Sequence, residues 1–152
     1  KLYLDNELAA GRFMVEGRPA SLQNIRVPIF AVGTERDHVA PWQSVYKIHY
    51  LSGAEVTFVL TSGGHNAGIV SEPGRPRRRY RVATKQAGGT CRTAEQWAEQ
   101  ASRKDGSWWL EWGDWLASRS SPAPLPAPAA PGAAEQGYPA LTDAPGTYVL
   151  QS

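Results

Sequence analysis

Two short apolar runs, each followed by a polar segment that contains glycine, dominate the first half of the chain. Residues 25–32 read IRVPIFAV and residues 55–60 read EVTFVL, and both runs are rich in β-branched side chains. Apolar runs of this length are typical of strands that are buried on both faces of a parallel sheet. Residues 41–51 carry apolar side chains near helical spacing and begin with a proline, which suits a first helical turn. The pattern therefore predicts strand, helix and strand, with the two strands parallel.

Two further helices are predicted in the second half, over residues 93–101 and 107–116. The second carries four tryptophans at spacings of three and four, which favours packing in the core or at an interface over a platform for a ligand. Beyond it, residues 120–137 are rich in proline and alanine and predict an extended linker, partly polyproline II. This linker is expected to separate a folded body, residues 1–119, from a tail, residues 138–152.

Composition narrows the possible functions. The 152 residues include 16 Lys and Arg against 14 Asp and Glu, a net charge of +2, which disfavours nucleic acid as a partner. A single cysteine cannot form an intramolecular disulfide, which favours a cytoplasmic location. The sequence contains no apolar run of ~18 residues, so no transmembrane segment is predicted. Three histidines and one cysteine without ligand spacing predict no metal site.

Candidate chemistry follows each predicted strand. Asp37 lies just beyond the first strand and His65 just beyond the second, the order in which an α/β-hydrolase sheet supplies the acid and the base of a catalytic triad. Gly63 and Gly64 permit a tight turn before the imidazole, and Gly68 permits close backbone packing after it. On spacing alone, a capping aspartate and a partly buried loop histidine are an equally good interpretation.

Longer motifs connect these segments to a known family. The runs GTERDHVAPWQSVYKIH and TFVLTSGGHNAGIVSEPG resemble the carboxy-terminal catalytic region of polyhydroxyalkanoate synthases, which include poly(3-hydroxybutyrate) polymerases. YLDNELAAGRF, GRPASLQNIRVPIFAVGT and DAPGTYVL extend the resemblance over nearly the whole chain. The resemblance implies an α/β-hydrolase catalytic domain and an acyltransferase that polymerises (R)-3-hydroxyacyl-CoA into polyester with release of CoA. Acyl-CoA is then the substrate, and no cofactor is implied.

The same resemblance assigns catalytic roles. The family's catalytic Asp falls on Asp37 and its catalytic His on His65, both of which serve a Cys nucleophile that carries the growing chain as a thioester. The family's G-x-C-x-G nucleophile motif does not occur in this sequence, and Cys91 lies after His65 without a preceding strand. We therefore expect the carboxy-terminal part of an α/β-hydrolase fold, whose nucleophile lies upstream and which is inactive on its own.

Several residues near the two loops are candidates for substrate contact. His38 and Trp42 belong to the motif around Asp37, although packing beneath that loop is the better interpretation of Trp42, and Asn66 adjoins His65. Five arginines within seven residues follow the histidine. A solvated surface loop is the default interpretation of this run, and the alternative is that Arg78 and Arg79 meet the phosphates of CoA.

The resemblance also bears on partners and location. It implies contact with the growing polyester chain, and a homodimer and granule-associated proteins are further candidate partners. The expected location is the cytoplasm, at the surface of polyhydroxyalkanoate granules. Two alternatives stay open. One is an esterase or depolymerase with a Ser nucleophile, and the other is a noncatalytic module that binds a granule or a partner through the Trp-rich helix and the tail.

Overall fold

The chain divides into two compact units, Lys1–Arg119 and Ser120–Ser152, in a computed structural model that describes residues 1–2, 4–127 and 132–151. The described part of the larger unit contains six strands and four α-helices. In chain order these are β1 (Phe13–Val15), β2 (Arg18–Ala20), β3 (Ile29–Thr34), α1 (Trp42–Tyr46), α2 (Ile48–Leu51), β4 (Val56–Thr61), β5 (Arg79–Lys85), α3 (Ala94–Gln100), β6 (Ser102–Asp105) and α4 (Trp108–Ala117). A short 3-10 turn, Leu22–Asn24, precedes β3.

A four-stranded mixed sheet in the order β3-β4-β5-β6 forms the centre of this unit. β3 and β4 are parallel and in register from Ile29 opposite Val56 to Thr34 opposite Thr61, which confirms the predicted pair of parallel strands. β5 and β6 continue the sheet in antiparallel orientation, and β1 and β2 form a separate hairpin. Parallel strands joined by helices, together with an antiparallel extension, define an α/β fold.

The two predicted strands differ in burial. Every residue of β4 is buried, as its apolar sequence predicts, because β4 has a neighbouring strand on each side. The expectation of complete burial is wrong for β3, whose first four residues are only half-buried. The reason is its place at the edge of the sheet, where it has one neighbouring strand among the described residues. Its ladder begins at Ile29, whose N–H donates to the Glu55 carbonyl at 2.9 Å, because Pro28 has no N–H to offer.

Apolar side chains of β4 alternate between two clusters on opposite faces of the sheet. On one face, the Phe58 ring lies 5.3 Å from that of Tyr46 and 4.9 Å from that of Trp97, measured between centroids. On the other face, Val59 packs with Trp108 at the start of α4. The predicted helix over residues 41–51 is divided into α1 and α2 at Lys47. The sheet is thus covered by α1 and α3 on one side and by α4 on the other.

The tryptophans of α4 are mostly packing residues, as their spacing predicts. Trp108 is 6% exposed, and its ring lies 6.3 Å from that of Phe30. Trp115 meets Phe30 edge-on at 5.5 Å, whereas Trp112 is 42% exposed. Because the most buried of these rings lies against the sheet, the stripe is not a single exposed patch.

The arginine-rich run is not only a surface loop. The prediction of a solvated loop is wrong for Arg79 and Arg81, which lie in β5. Tyr80 and Val82 are buried and alternate with them, so the segment has the period of two that is typical of a half-buried strand. Because arginines surround Tyr80 and Val82, the sequence does not show this segment as an apolar run.

The described part of the smaller unit contains two short 3-10 turns, Ala134–Gln136 and Tyr148–Leu150. Residues 128–131 of the predicted linker lie outside the described residues. Within the described part, Ala133 and Tyr138 form a bridge that closes a turn, so this end of the segment is not extended as expected. Gly132 and Gly137 permit the reversal, since their φ angles are +90° and +85°. A separate linker and tail stay predictions.

Candidate active site

Asp37 and His65 meet at the carboxyl edge of the two parallel strands. The loops that carry them run side by side beyond the ladder, because Glu35 N–H donates to the Thr61 carbonyl and Arg36 N–H to the Gly63 carbonyl, both at 2.9 Å. Asp37 Oδ2 and His65 Nδ1 are 2.8 Å apart, a hydrogen-bonded distance. The two side chains that the sequence places just after the predicted strands are therefore in contact in the structure.

The Asp37 carboxylate is held by the backbone of its own loop. Its Oδ1 accepts hydrogen bonds from the N–H groups of Ala40 at 2.8 Å and Val39 at 2.9 Å. The Ala40 N–H is the largest cause that lowers the pKa of Asp37 to about 2, and the contact with His65 lowers it further against the opposing effect of burial. Asp37 is consequently an anion throughout the neutral range.

The charge on Asp37 determines how His65 is protonated. An ionised carboxylate only accepts hydrogen bonds, so Nδ1 of the imidazole carries the proton that joins the two side chains. In the neutral ring the other nitrogen, Nε2, is then a proton acceptor. The His65 side chain is 47% exposed, whereas that of Asp37 is 8% exposed. The pair therefore presents an oriented base to an open surface and keeps its acid covered.

Glycines set the shape of the histidine loop, which we define as residues 62–71. Gly63 has a φ of +120°, and a Cβ there would lie 2.8 Å from the Gly68 Cα. A Cβ on Gly68 would lie 2.5 Å from the Thr34 Cγ2, closer than side chains approach each other. The predicted close packing at Gly68 is confirmed, and any larger residue there would push the loop away from β3.

The other residues of the two motifs lie in different surroundings. His38 and Asn66 are exposed beside Asp37 and His65, respectively. Trp42 lies beneath the aspartate loop, where its ring is 6.5 Å from that of Phe58 and its Cβ would contact any Cβ on Gly33 at 3.0 Å. Trp42 is thus a packing residue here, and substrate contact for these three side chains stays a prediction.

Arg78 and Arg79 lie beside the histidine loop, and both have partners within the protein. Arg78 is half-buried and donates through Nη1 to the Ser62 carbonyl at 3.2 Å. Arg79 Nη2 lies 3.5 Å from Glu35 Oε2. Their contact with the phosphates of CoA stays a prediction. Each guanidinium already has a partner within the protein, which a phosphate would have to share or replace.

Cys91 lies near the opposite end of the sheet from His65. Its Sγ donates to the His49 carbonyl at 2.9 Å and lines a cavity together with Ser52 and Lys85, next to the amino end of β4. His65 follows the carboxyl end of that strand, which with six residues is about 20 Å long. This separation agrees with the sequence interpretation that Cys91 does not serve His65.

Sequence reasoning missed three residues that support the pair. Thr34 Oγ1 lies 3.4 Å from Asp37 Oδ2, and its place as the last residue of an apolar run before a polar loop was an available signal. Ser62 Oγ accepts from the Arg79 N–H at 3.2 Å, and Trp108 Nε1 donates to the Gly68 carbonyl at 3.1 Å. The contacts of Ser62 and Trp108 are made with backbone groups, which every residue has, so they leave no pattern in the sequence.

No group of three or more His, Cys, Asp or Glu residues lies close enough together, in the described part of the chain, to hold a metal ion. None of the described helices has the length and apolar character needed to cross a bilayer.

Known proteins resemble this chain over most of its length. Poly(3-hydroxyalkanoate) polymerase from Methylorubrum extorquens is 38% identical over 151 residues, which are 97% of this chain and 23% of that protein. The poly(3-hydroxyalkanoate) polymerase subunit PhaC of Cupriavidus necator is 37% identical over 148 residues, 97% of this chain and 24% of that protein. Poly(3-hydroxyalkanoate) polymerase 2 from Ectopseudomonas oleovorans is 37% identical over 134 residues, 88% of this chain and 23% of that protein. No protein-family model matches the chain.

Fold and site together define an α/β protein with a carboxylate–imidazole pair at the edge of its parallel strands. The chain is homologous to poly(3-hydroxyalkanoate) polymerases, which confirms the resemblance seen in the sequence, and it spans about 23% of the length of the relatives it matches.

The lowered pKa of Asp37 predicts a pH-dependent contribution to the stability of the 152-residue chain. The folded pKa is about 2 and the ordinary value is 3.8, so the stabilisation is fully present above about pH 4 and disappears as the pH falls towards 2. We expect the melting temperature of the chain to exceed that of Asp37→Asn at pH 6 and the difference to shrink steadily as the pH falls from 4 through 2. Thermal unfolding followed by circular dichroism measures both. A difference that is constant across this pH range would contradict the assignment of the shift to Asp37.

Proposed function

We propose that this chain supplies the acid–base part of an α/β-hydrolase-type catalytic domain in a protein that polymerises (R)-3-hydroxyacyl-CoA into polyester and releases CoA. The hydrogen bond between Asp37 Oδ2 and His65 Nδ1 is the observation that carries the proposal. Homology to poly(3-hydroxyalkanoate) polymerases supports the reaction class. The nucleophile in this proposal is a cysteine in a part of the protein that these 152 residues do not include.

In the first half of the proposed reaction, the acyl group moves from CoA to the cysteine. His65 Nε2 takes the thiol proton, and the thiolate attacks the carbonyl carbon of the acyl-CoA thioester. The bond between that carbon and the sulfur of CoA breaks, and the imidazolium returns its proton to the departing CoA thiolate. One thioester is exchanged for another, so no oxidant, metal or further reactant is consumed.

In the second half, the chain grows by one unit. The 3-hydroxyl of one acyl unit attacks the thioester of another, an ester bond forms, and the cysteine thiolate is released. A base must remove the hydroxyl proton, and His65 and Asp37 are the two candidates at the site. With a pKa of about 2, Asp37 is a weak base at neutral pH, which favours a role in orienting His65 and stabilising its cation.

The covered carboxylate and the half-exposed imidazole suit this division of work. Asp37 keeps its charge through backbone hydrogen bonds from Ala40 and Val39, so it does not depend on the histidine to stay ionised. His65 has one nitrogen on the carboxylate and the other available to a reacting group. Substrate-side contacts from His38, Trp42, Asn66, Arg78 and Arg79 belong to the same proposal.

The proposal extends to partners and location. The growing polyester is a second ligand of the site, a homodimer and granule-associated proteins are further partners, and the protein acts in the cytoplasm at the surface of polyester granules.

Product analysis tests the function. We expect the full-length protein that contains this chain, incubated with (R)-3-hydroxybutyryl-CoA, to release CoA and to form polyester, which is measured by thiol titration together with chromatography of the chloroform-soluble product. Release of CoA with only free 3-hydroxybutyrate would identify a hydrolase with the same acid–base pair. Absence of both products from folded protein would contradict the proposal, and a Ser nucleophile upstream would support an esterase or depolymerase.

A further inference from the structure

The first residues of α4 are hydrogen-bonded to the histidine loop. Trp108 Nε1 donates to the Gly68 carbonyl at 3.1 Å and Trp109 Nε1 to the Ile69 carbonyl at 2.9 Å. The Ser107 hydroxyl, which caps the helix, donates to the Ser71 carbonyl. Three consecutive side chains of the helix thus hold three carbonyls on the part of the loop that follows His65.

Gly68 is the point at which this contact reaches the acid–base pair. Its N–H donates to the Gly64 carbonyl at 2.9 Å, directly before His65, and its Cα lies against Gly63. On its other side it packs on the Thr34 side chain, whose hydroxyl lies 3.4 Å from Asp37 Oδ2. A displacement of Gly68 would therefore change the position of both loops that carry the pair.

We propose that Trp108 is a positioning residue, whose indole N–H fixes Gly68 and thereby holds the His65 ring at hydrogen-bonding distance from Asp37. The inference depends on the proposed function, since positioning has a catalytic consequence only if this pair acts in the reaction. Trp108 does not touch the pair itself. It acts through the backbone between Gly64 and Gly68.

Burial distinguishes Trp108 from its neighbour. Trp108 is 6% exposed and Gly68 is buried, so water cannot replace the N–H if it is removed, and the carbonyl is left without a donor. The bond from Trp109 to Ile69 is exposed, so water can take the place of that indole. The two residues share a helix, a donor atom and a type of acceptor, which makes one the control for the other.

The test compares Trp108→Phe with Trp109→Phe in the full-length protein that contains this chain. With saturating (R)-3-hydroxybutyryl-CoA, we expect Trp108→Phe to lower the turnover of CoA release by ~10- to 100-fold, as displacement of a catalytic group by about 1 Å does, with KM changed less than about threefold. Trp109→Phe is expected to change turnover by no more than about threefold. Equal losses in the two variants, or a loss in Trp108→Phe that is confined to KM, would overturn the proposal.

A spectroscopic measurement separates this inference from the proposed function. In ¹⁵N-edited NMR spectra, the Nδ1 proton of His65 bound to Asp37 should give a signal in the unsubstituted protein and in Trp109→Phe, and should be lost through solvent exchange in Trp108→Phe. This readout does not require activity, so it decides the positioning role even if the protein proves not to be a polymerase. Retention of the signal in Trp108→Phe would overturn the proposal.

A second variant covers the case in which Trp108→Phe does not fold, as judged by circular dichroism. Benzothienylalanine at position 108 keeps the size of the indole and replaces only the N–H by sulfur. We expect it to reproduce the loss of turnover and of the His65 signal. A folded benzothienylalanine protein with normal turnover and a normal signal would show that Trp108 contributes packing alone.

Discussion

Replacement of His65 by alanine is expected to lower CoA release by the full-length protein about 10²- to 10⁴-fold, the usual contribution of a positioned general base. The His65 imidazole has its Nδ1 bonded to Asp37, which leaves its half-exposed ring with Nε2 available to a reacting group. Without it, the thiol proton has no acceptor and the departing CoA thiolate has no donor. Single-turnover thiol titration with (R)-3-hydroxybutyryl-CoA measures the acylation step.

Substitution of the neighbouring histidine provides the comparison for that experiment. His38 is exposed beside Asp37, and its predicted contact is with substrate, so His38→Ala should raise KM and leave acylation at saturation largely intact. Circular dichroism of both variants checks that the fold is retained. If folded His65→Ala releases CoA at the rate of the unsubstituted protein, His65 is not the base and the proposed mechanism is wrong.

Asp37→Asn is expected to lower acylation by a similar factor, about 10²- to 10⁴-fold, although it changes the shape of the side chain very little. The amide oxygen can still accept from Val39 and Ala40, so the loop is retained. The amide nitrogen then faces His65 Nδ1 as a donor, which favours the tautomer that carries its proton on Nε2. That tautomer has no lone pair available for the thiol proton, and the imidazolium loses its counter-charge.

Thr34→Val is the matched control for Asp37→Asn. It removes a long hydrogen bond to the same carboxylate oxygen, 3.4 Å, and leaves the charge in place, so acylation should fall by less than about tenfold. Acylation is measured as for His65→Ala, with pH profiles between 5 and 9. Normal acylation in folded Asp37→Asn would show that neither the charge nor the tautomer of His65 matters.

The central part of the fold was readable from the sequence because β4 and its surroundings follow simple rules. Val56 to Leu60 are apolar except for Thr57, and all are buried in a strand that has a neighbour on each side. Thr93 and Gln96 form the capping box of α3, so the amino end of that helix is fixed by local hydrogen bonds. Local rules of this kind failed for Tyr80 and Val82, whose alternation is hidden among arginines.

The candidate site was predictable as far as its side chains come directly after strands. Asp37 and His65 were found because β3 and β4 are parallel and end at the same edge, which brings the following loops together. Trp108 could not be found in this way. It is about 40 residues from Gly68 in sequence and contacts a carbonyl that every residue possesses, so only the packing of α4 against the sheet identifies it.

The antiparallel return of β5 beside β4 gives the connection between them two fixed ends. Ser62 N–H donates to the Arg79 carbonyl at 2.9 Å, so residues 63–78 leave and re-enter the sheet at neighbouring positions. Chain closure over such a span costs only about 0.6 kcal/mol for each doubling in length, so the outer part, residues 72–77, can be lengthened or exchanged at little cost in stability. His65 lies in the inner part, which Gly68 fixes against Thr34. Selection can therefore alter residues 72–77 through insertions and substitutions while the geometry of the acid–base pair is inherited unchanged.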